Sequence, residues 1–365
     1  MLEKQRKYEF VANMATEYFC VLREKAYFCN PYTQKSMEKK IIDCLNRLAD
    51  EKEPFLFVIN YAGSDAYIRK LSEIDPNECL YDFEGVTNVK RQFPSVLTQT
   101  PPKWEVGEMR MEDYKRSFDI VKSNILRGNS YLANLTCKVA IDCDLSFKEI
   151  FMRARGKYKM LLKSCSDSMF VCFSPETFVR ISNGRIYSYP MKGTLDASIP
   201  NAAQVLMDDE KEAAEHATIV DLIRNDLSRV AGHVRVDKYR YIDVLHTNKG
   251  DILQTSSEIS SELPCDYQKH IGDILDAMLP AGSITGAPKD KTMEIIHEAE
   301  GYDRGYYTGI MGIYNKGELN SAVMIRFLEQ NATKIYFKAG GGITSKSDCK
   351  KEYEEVLQKI YLPFE

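Results

Sequence analysis

Residues Thr177–Thr194 read TFVRISNGRIYSYPMKGT, and this stretch carries the clearest signal of local structure in the chain. Asn183 and Gly184 separate two runs in which apolar and polar residues alternate. Because Asn-Gly is a preferred dipeptide of the type I′ turn, the pattern predicts a β-hairpin. Lys192 lies just beyond the second predicted strand, directly before Gly193. A lysine at this position is either an ordinary solvated charge or a reactive amine.

The rest of the chain mixes predicted helices with predicted strands. The segment MEDYKRSFDIVKSNILRG predicts an amphipathic helix whose apolar face is formed by Tyr114, Phe118, Val121 and Ile125. Further helices are predicted over about 205–230, 266–278, 288–300 and 348–361. Residues 85–107 hold several prolines and predict a long connector. The predicted strands, HVRVD and RYIDVL among them, arrive in hairpin-like pairs, so the fold class is α+β with mostly antiparallel sheet.

Composition and charge argue against several functional classes. The 365 residues carry a formal net charge of −4, whereas a nucleic-acid-binding protein presents a basic face. The five histidines show no metal-ligand spacing, so a zinc enzyme is not expected. The ten cysteines include no C-x-x-C pair, and neither a signal peptide nor a membrane-length apolar run is visible. These features predict reduced thiols in a cytoplasmic protein.

Two predicted helices each carry a pair of carboxylates one turn apart. Glu212 and Glu215 share a face of the helix over about 205–230, and Glu352 and Glu355 share a face of the last helix. Lys359 lies one turn beyond Glu355. On spacing alone, a solvated surface with ordinary Glu–Lys pairs is the favoured interpretation. The alternative is a Mg²⁺ site held between the two helices, since hard cations prefer carboxylate oxygens.

Three further features suit an anionic ligand. The segment PAGSITGAPK runs small residues into Pro288, and free amides at a helix start bind anions, although a tight structural turn is an equal alternative. Gly340–Gly342 predict a close backbone approach to a ligand or a strand. Arg326 lies in an apolar strand and needs an anionic ligand or a structural carboxylate as partner. Together these features describe a site for a small, multiply anionic substrate.

The order of the motifs resembles that of the chorismate-utilising enzymes. The segments are FSPETF, PMKGT, AEHATIVDLIRNDLSR, GSITGAPK, RGYYTGIMG, SAVMIRF, AGGGIT and KEYEEVLQK. That family includes the first components of anthranilate synthase and aminodeoxychorismate synthase, together with isochorismate and salicylate synthases. The resemblance implies two antiparallel β-sheets packed as a sandwich, with helices outside and the active site between the two halves. Residues 108–365 are expected to form the chorismate-binding catalytic domain, and residues 1–107 resemble the family only weakly.

The resemblance also implies roles for individual residues. Glu215 and Glu355 are expected to bind Mg²⁺, which the reaction needs, with Glu212 and Glu352 in support. Glu176 resembles the general acid that protonates the leaving C4 hydroxyl of chorismate. The expected substrate contacts are Thr194, Gln254, Thr285, Gly286, Tyr307, Arg326, Gly341 and Lys359.

Lys192 distinguishes the branches of the family. The branch with lysine in this motif, PIKGT, makes 4-amino-4-deoxychorismate, the precursor of p-aminobenzoate and folate, and there the amine is thought to attack the ring at C2. The resemblance therefore implies the aminodeoxychorismate synthase component I branch. The chain has no G-x-C-x-G glutaminase motif. Ammonia is accordingly expected from a separate glutamine amidotransferase subunit.

Two positions depart from the family pattern. Leu132 stands where isochorismate and salicylate synthases have a water-activating lysine and where the amine-transferring members commonly have glutamine. Gln254 stands where a histidine is usual, and an amide can hydrogen-bond a substrate but cannot act as an acid. The alternatives to chorismate amination are an anthranilate synthase component I and a non-catalytic scaffold that binds chorismate or the amidotransferase.

Overall fold

The computed structural model describes residues 37–89, 103–163, 168–247 and 250–364. Most of the predicted connector over residues 85–107 lies outside these ranges. The strands, in chain order, are β1 Phe55–Ile59, β2 Ala66–Lys70, β3 Cys79–Phe83, β4 Val86–Thr87, β5 Trp104–Val106, β6 Leu132–Cys143, β7 Tyr158–Lys163, β8 Ser168–Ser174, β9 Thr177–Ser182, β10 Arg185–Ser188, β11 Met191–Asp196, β12 Gly232–Thr247, β13 Gly250–Glu262, β14 Gly286–Ala287, β15 Ile310–Asn315, β16 Glu318–Val323, β17 Phe327–Asn331 and β18 Lys334–Thr344.

The helices cover less of the chain and lie mainly between these strands. In chain order they are α1 Lys39–Asp50, α2 Met111–Leu126, α3 Phe147–Arg153, α4 Ala202–Asp208, α5 Glu210–Ser228, α6 Ile271–Met278, α7 Gly282–Thr285, α8 Lys289–Glu300 and α9 Cys349–Gln358. No helix among the described residues combines the length and the apolar character needed to cross a bilayer.

The strands form two sheets. The first sheet has the order β11-β13-β10-β9-β16-β15-β1-β2, with β12 paired to β13. The second has the order β14-β6-β18-β17-β8-β7-β3-β4, with β5 paired to β6. Neighbouring strands are antiparallel throughout the described residues. The predicted fold class, two antiparallel sheets with helices, is confirmed.

The core has three apolar layers. The inner layer joins the facing sides of the two sheets and contains Val58 and Met311 from the first and Met160 and Cys172 from the second. An outer layer packs α1, α5 and α6 on the first sheet. A second outer layer packs α2, α8 and α9 on the second sheet. Because each buried apolar side chain contributes about 2 kcal/mol, these layers supply most of the driving force for the sandwich.

Strands from both sides of the predicted boundary at residue 107 enter both sheets. In the first sheet β1 pairs with β15, Phe57 standing opposite Gly312. In the second, β3 pairs with β7, Tyr81 standing opposite Met160. The boundary between residues 1–107 and 108–365 is therefore not a boundary between sheets. As a functional division it stays a prediction.

The predicted hairpin is confirmed. Strands β9 and β10 pair antiparallel, and Ser182 stands opposite Arg185. Asn183 and Gly184 have φ angles of 52° and 72°, as a type I′ turn requires. The chain then continues alongside β13 as β11, and Lys192 is the second residue of that strand, opposite Thr255.

The prediction of a single helix over about 205–230 is wrong, because the chain forms two helices, α4 and α5, with a break at Asp209. The φ and ψ of Asp209 are −68° and 107°, outside the helical region, and its side chain accepts a hydrogen bond from the Glu212 amide at 2.9 Å. Arg240 satisfies the end of α4 by donating to the carbonyls of Leu206 at 2.9 Å and Met207 at 2.7 Å. An aspartate N-cap thus starts a new helix, and this start sets the position of Glu212.

Other element boundaries also differ from the prediction. The loop PAGSITGAP contains the short helix α7, and HVRVD and RYIDVL belong to one continuous strand, β12. The last helix ends at Gln358 rather than near residue 361, and the helix over 266–278 begins as a 3₁₀ turn, Tyr267–His270. The apolar face predicted for α2 is confirmed, since all four of its residues are buried.

Gly309, which precedes β15, offers a test of the packing between β1 and β15. A Cβ at Gly309 would lie 2.1 Å from the Ile59 carbonyl oxygen. Gly309→Ala should therefore lower the free energy of unfolding, measured in urea, by about 3 kcal/mol. Gly232→Ala is the matched control, because no atom lies within 4 Å of its added Cβ. It should change stability by less than about 0.5 kcal/mol. Equal effects of the two substitutions would contradict this packing.

Candidate active site

A cavity of about 160 Å³ lies where the chain crosses between the sheets. Lys192 of the first sheet and Gly340–Gly342 of the second line it. Glu176 and Arg326 line it from two crossover segments, between β8 and β9 and between β16 and β17. The two crossover segments place polar side chains between the sheets. The strand faces around them carry apolar side chains.

The cavity brings together six of the residues predicted from the sequence, namely Glu176, Lys192, Tyr307, Arg326, Gly341 and Lys359. The carboxylates of α5 and α9 lie beside it, as the contacts below describe. Thr285 and Gly286 adjoin Ile284, which also lines the cavity. Thr194 and Gln254 stand opposite each other on β11 and β13, next to the strand position of Lys192.

Lys192 reaches from the first sheet toward the second. Its carbonyl oxygen accepts a hydrogen bond from Thr255 Oγ1, which holds the strand in register. Its Nζ lies 3.8 Å from Glu215 Oε2. A Cβ at Gly342 of β18 would lie only 3.5 Å from that Nζ. The side chain is 26% exposed, so Lys192 is not a solvated surface charge.

Gly193 makes room for a carboxylate of α5. Its φ of 63° falls in the left-handed region that favours glycine, and the register between β11 and β13 shifts at this residue. A Cβ at Gly193 would lie 2.9 Å from Glu212 Oε2 and 3.1 Å from Leu206 Cδ1. Lys192 therefore lines the cavity, and Gly193 allows Glu212 to pack against the strand that carries this lysine.

Glu176 is placed to donate a proton. Its carboxylate oxygen Oε1 accepts a hydrogen bond from Ser283 Oγ, and its backbone amide donates to Ser174 Oγ at 3.1 Å. Burial raises the pKa of the Glu176 carboxyl above its usual value, while Ser283 and the charge of Lys192 act in the opposite direction. A carboxyl with a raised pKa holds its proton closer to neutral pH and can act as a general acid.

The carboxylates of α9 lie beside Gly341. A Cβ at Gly341 would lie 3.7 Å from Glu352 Oε2, 3.8 Å from Glu355 Oε1 and 3.8 Å from Lys359 Nζ. Burial raises the pKa of Glu352, and the charges of Glu355 and of Glu215 on α5 raise it further. The glycine run of β18 thus lies against the carboxylates of α9, and Glu215 of α5 is close enough to act on Glu352.

The pKa values within this carboxylate group differ according to the neighbouring charges. Burial raises the pKa of Glu212, and the charge of Glu215 adds to the increase. Burial also acts to raise the pKa of Glu355, but Lys359, bonded at 2.8 Å, outweighs it and the pKa lies below the usual value. Clustered carboxylates that repel one another in this way favour the binding of a cation.

Lysines, rather than a closed ligand set, neutralise these carboxylates. Within residues 37–89, 103–163, 168–247 and 250–364, no three histidine, cysteine, aspartate or glutamate side chains are arranged to hold one ion. Lys192 and Lys211 lie 3.8 Å and 3.7 Å from the carboxylate oxygens of Glu215. Lys359 bonds to Glu355 in the same way. Carboxylate oxygens are the donors that hard cations prefer, and Mg²⁺ binding by Glu215 and Glu355 stays a prediction.

Arg326 provides an anion-binding group at the other side of the cavity. It has a φ of 54°, its Nη1 donates to the Lys359 carbonyl at 3.3 Å, and its guanidinium stacks 4.9 Å from the Tyr361 ring centroid. In the described part of the chain no carboxylate pairs with it. Of the two partners that the sequence allows, an anionic ligand is thus favoured. Tyr307 is 3% exposed, and burial raises the pKa of its hydroxyl, which stays protonated and can donate.

The loop around α7 is shaped by backbone contact. Gly286 has a φ of 125°, and a Cβ there would lie 1.8 Å from the Leu132 carbonyl oxygen, so no other residue fits. Arg304 holds the loop by donating to the Ile284 carbonyl at 3.0 Å. The Thr285 hydroxyl is buried and interacts with the Tyr61 hydroxyl.

Of the two departures from the family pattern, Leu132 lies close to the cavity, and Gln254 is on β13 opposite Thr194. Leu132 Cδ1 would lie 3.2 Å from a Cβ at Gly342, the residue that Lys192 also approaches. Leucine therefore gives Lys192 an apolar neighbour with no donor or acceptor. Gln254 Oε1 is buried without a hydrogen-bond partner, so its amide is available to a ligand.

Three further residues at the cavity were missed by the sequence reasoning: Asn134, Ser283 and Lys338. Lys338 is 1% exposed, donates to the Arg304 carbonyl at 2.9 Å and pairs with Glu329. Burial lowers the pKa of its ammonium. Ser283 lies within the quoted motif GSITGAPK, and Lys338 directly precedes the quoted motif AGGGIT, so a lysine two residues before a glycine run was the available signal.

The fold and the cavity agree with comparisons to known proteins. A family model for chorismate binding enzymes matches residues 43–364. The chain therefore belongs to the chorismate binding enzyme family, and the resemblance inferred from the motif order is confirmed. It is a relative of component I of both aminodeoxychorismate synthase and anthranilate synthase, as individual matches show.

The most similar relatives extend over most of the chain. The chain is 46% identical over 334 residues to the "Uncharacterized PabA-like protein" of Haemophilus influenzae, covering 91% of this chain and 98% of the relative. It is 30% identical over 325 residues to aminodeoxychorismate synthase component 1 of Salmonella typhimurium, covering 86% and 66%. The crystal structure of anthranilate synthase component I from Streptococcus pneumoniae superimposes with a TM-score of 0.60 at 25% identity, covering 71% and 59%.

The bond between Ser283 and Glu176 generates a prediction about proton affinity. The bond favours the ionised carboxylate and so lowers the pKa of Glu176. Ser283→Ala should therefore raise that pKa, measured by ¹³C NMR of labelled glutamate side chains and assigned with Glu176→Gln. The exposed serine variant Ser198→Ala should leave it unchanged. A pKa that falls in Ser283→Ala would contradict the hydrogen bond.

Proposed function

We propose that the protein is component I of an aminodeoxychorismate synthase and converts chorismate and ammonia to 4-amino-4-deoxychorismate. The observation that carries this proposal is that Lys192 and Glu176 line the same cavity, an amine and a buried carboxyl at one small site. The relationship to aminodeoxychorismate synthase component 1 of Salmonella typhimurium supports it. Ammonia would come from a separate glutamine amidotransferase in the cytoplasm.

In the proposed reaction, Lys192 is the nucleophile and Glu176 the general acid. The neutral amine attacks C2 of the ring, the two conjugated ring double bonds shift, and the C4–O bond breaks as Glu176 protonates the departing hydroxyl to water. The Lys192 nitrogen, now bonded to C2, gives its extra proton to the ionised Glu176. Ammonia then attacks C4, both double bonds shift back, and the C2–N bond breaks as Glu176 protonates the leaving Lys192 nitrogen. The ammonium formed at C4 returns a proton to Glu176. The amine is released unchanged and one water replaces one ammonia.

The remaining residues would bind and orient chorismate. Arg326 and Tyr307 would hold the pyruvyl carboxylate, since Arg326 has no protein carboxylate as partner among the described residues and Tyr307 is a protonated donor. Lys359 would lie near the ring carboxylate. The remaining proposed contacts are the backbone amides of Thr285, Gly286 and Gly341 and the side chains of Thr194 and Gln254.

The carboxylates of α5 and α9 would hold Mg²⁺. Glu215 and Glu355 are the proposed ligands, with Glu212 and Glu352 in support. Bound Mg²⁺ would offset the repulsion between the ring carboxylate of chorismate and these glutamates. The protein side chains contribute the oxygen donors, and the lysines that pair with them would be released toward the cavity.

Product identification tests the function. The protein is incubated with chorismate, Mg²⁺ and ammonium, and the products are separated and identified by mass spectrometry. The wild type should form 4-amino-4-deoxychorismate, and Lys192→Ala should lower the rate by about 10³-fold or more, because the nucleophile is lost. Lys211→Ala is the matched control, since Lys211 pairs with the same Glu215 but is 51% exposed. It should retain activity within about 3-fold.

Other products would contradict the assignment in specific ways. Anthranilate from the wild type would identify the other amine-transferring branch, and isochorismate or salicylate would exclude amination. A lack of turnover even with a partner glutaminase would favour a scaffold. Unimpaired amination by Lys192→Ala would refute the nucleophile while leaving the reaction intact.

Magnesium binding can be tested without turnover. The raised pKa values of Glu212 and Glu352 mean that the metal-free fold is favoured at acidic pH and loses stability as pH rises through those pKa values. Mg²⁺ should therefore raise the melting temperature at pH 8. Glu215→Gln and Glu355→Gln should each raise the Mg²⁺ concentration that gives half of this increase by about 10-fold or more.

The controls for the metal test lie on the same two helices. Glu210 is exposed at the start of α5, and Glu354 is 54% exposed on α9. Glu210→Gln and Glu354→Gln should keep the wild-type response to Mg²⁺. If all four variants respond like the wild type, the proposed ligands are wrong.

A further inference from the structure

A buried ion pair lies directly behind the loop that contacts Glu176. Lys289 Nζ lies 2.7 Å from Asp226 Oδ1, and the two side chains are 5% and 4% exposed. The same Nζ donates to the Met278 carbonyl at 2.8 Å. Burial raises the pKa of Asp226 and lowers that of Lys289, so each charge depends on the other for its stability. Such a pair holds its two elements in one relative position.

Contacts continue from this pair to the general acid. A Cβ at Gly282 would lie 3.1 Å from Asp226 Oδ2, so the backbone of the loop rests against the carboxylate. The next residue, Ser283, bonds to the Glu176 carboxylate. A cavity of about 20 Å³ lies between them and is lined by both Asp226 and Glu176. This is room for about one water molecule, and Gly282 and Ser283 of the loop line the same cavity.

The pair also joins two parts of the site through one helix. Asp226 lies near the end of α5, the helix that carries Glu212 and Glu215 at its start. Lys289 is the first residue of α8, directly after the loop. The ion pair therefore fixes α5, with its carboxylates, against the loop that positions Glu176.

We propose that Asp226 and Lys289 are positioning residues that hold the loop 281–286 so that Ser283 meets Glu176, and thereby align the general acid with the carboxylates of α5. The assignment of Glu176 as acid rests on the proposed function. Neither Asp226 nor Lys289 lines the cavity of about 160 Å³, so they act through the loop and not on the substrate.

The test separates positioning from overall stability. Asp226→Asn and Lys289→Met each leave one buried charge unpaired, whereas the double variant Asp226→Asn/Lys289→Met removes both charges and should recover cooperative unfolding. In the double variant, amide hydrogen exchange of residues 281–286 should still quicken by about 10-fold or more. Its kcat should fall on the order of 10²-fold while KM for chorismate stays within about 3-fold.

The control is Ile150→Ala, which opens a cavity in the outer core of the second sheet away from the loop. It should lower stability without changing exchange at residues 281–286 beyond the global effect, and without changing kcat. A folded double variant with wild-type exchange and kcat would overturn the proposal. If the wild type does not aminate chorismate, the proposed function fails, and the exchange measurement alone then decides whether the pair holds the loop.

Discussion

The buried ion pair between Arg304 and Glu300 is the constraint on which the site depends. The two side chains are 2% and 1% exposed, and the guanidinium bonds to the carboxylate at 2.6 Å and 2.8 Å. Arg304 also donates to the carbonyls of Ile284 and Asn134, while its own carbonyl accepts from Lys338. One pair thus joins α8, α7, β6 and β18. Leaving one member of such a pair alone costs about 3–5 kcal/mol, so the pair stabilises the arrangement of these four elements.

Around this network, the candidate site lies where strands change sheets. Glu176 and Arg326 lie in crossovers between the sheets, where polar residues and unusual backbone conformations are common. The strand faces between the sheets are filled by apolar side chains instead. Glycine at 193, 286 and 341 allows carboxylates and backbone to approach within van der Waals distance. The cavity between the two packed sheets therefore exists because glycine takes the place of a larger side chain at a few positions. The core elsewhere keeps its normal packing density.

The fold was largely predictable from the sequence because its signals are local. The Asn183-Gly184 turn and the apolar face of α2 follow from dipeptide conformation and from a 3.6-residue period. The break between α4 and α5 was not predictable by period, since Asp209 is acceptable on a helix surface and becomes an N-cap only when Arg240 satisfies the preceding helix end. Likewise, the pairs Glu212–Glu215 and Glu352–Glu355 are visible as spacings, but a solvated surface gives the same spacing.

The sequence by itself determined the antiparallel sheets, the family and the identity of the groups available for chemistry. These depend on residue type, short-range period and the order of motifs. Only the tertiary structure decided which of those groups meet. Lys192 lies near Glu176 and Gly342, and Asp226 meets Lys289, across sequence separations that no local pattern encodes. The reason is physical: a side chain acquires a shifted pKa or an ion-pair partner only when packing removes water and brings distant segments together.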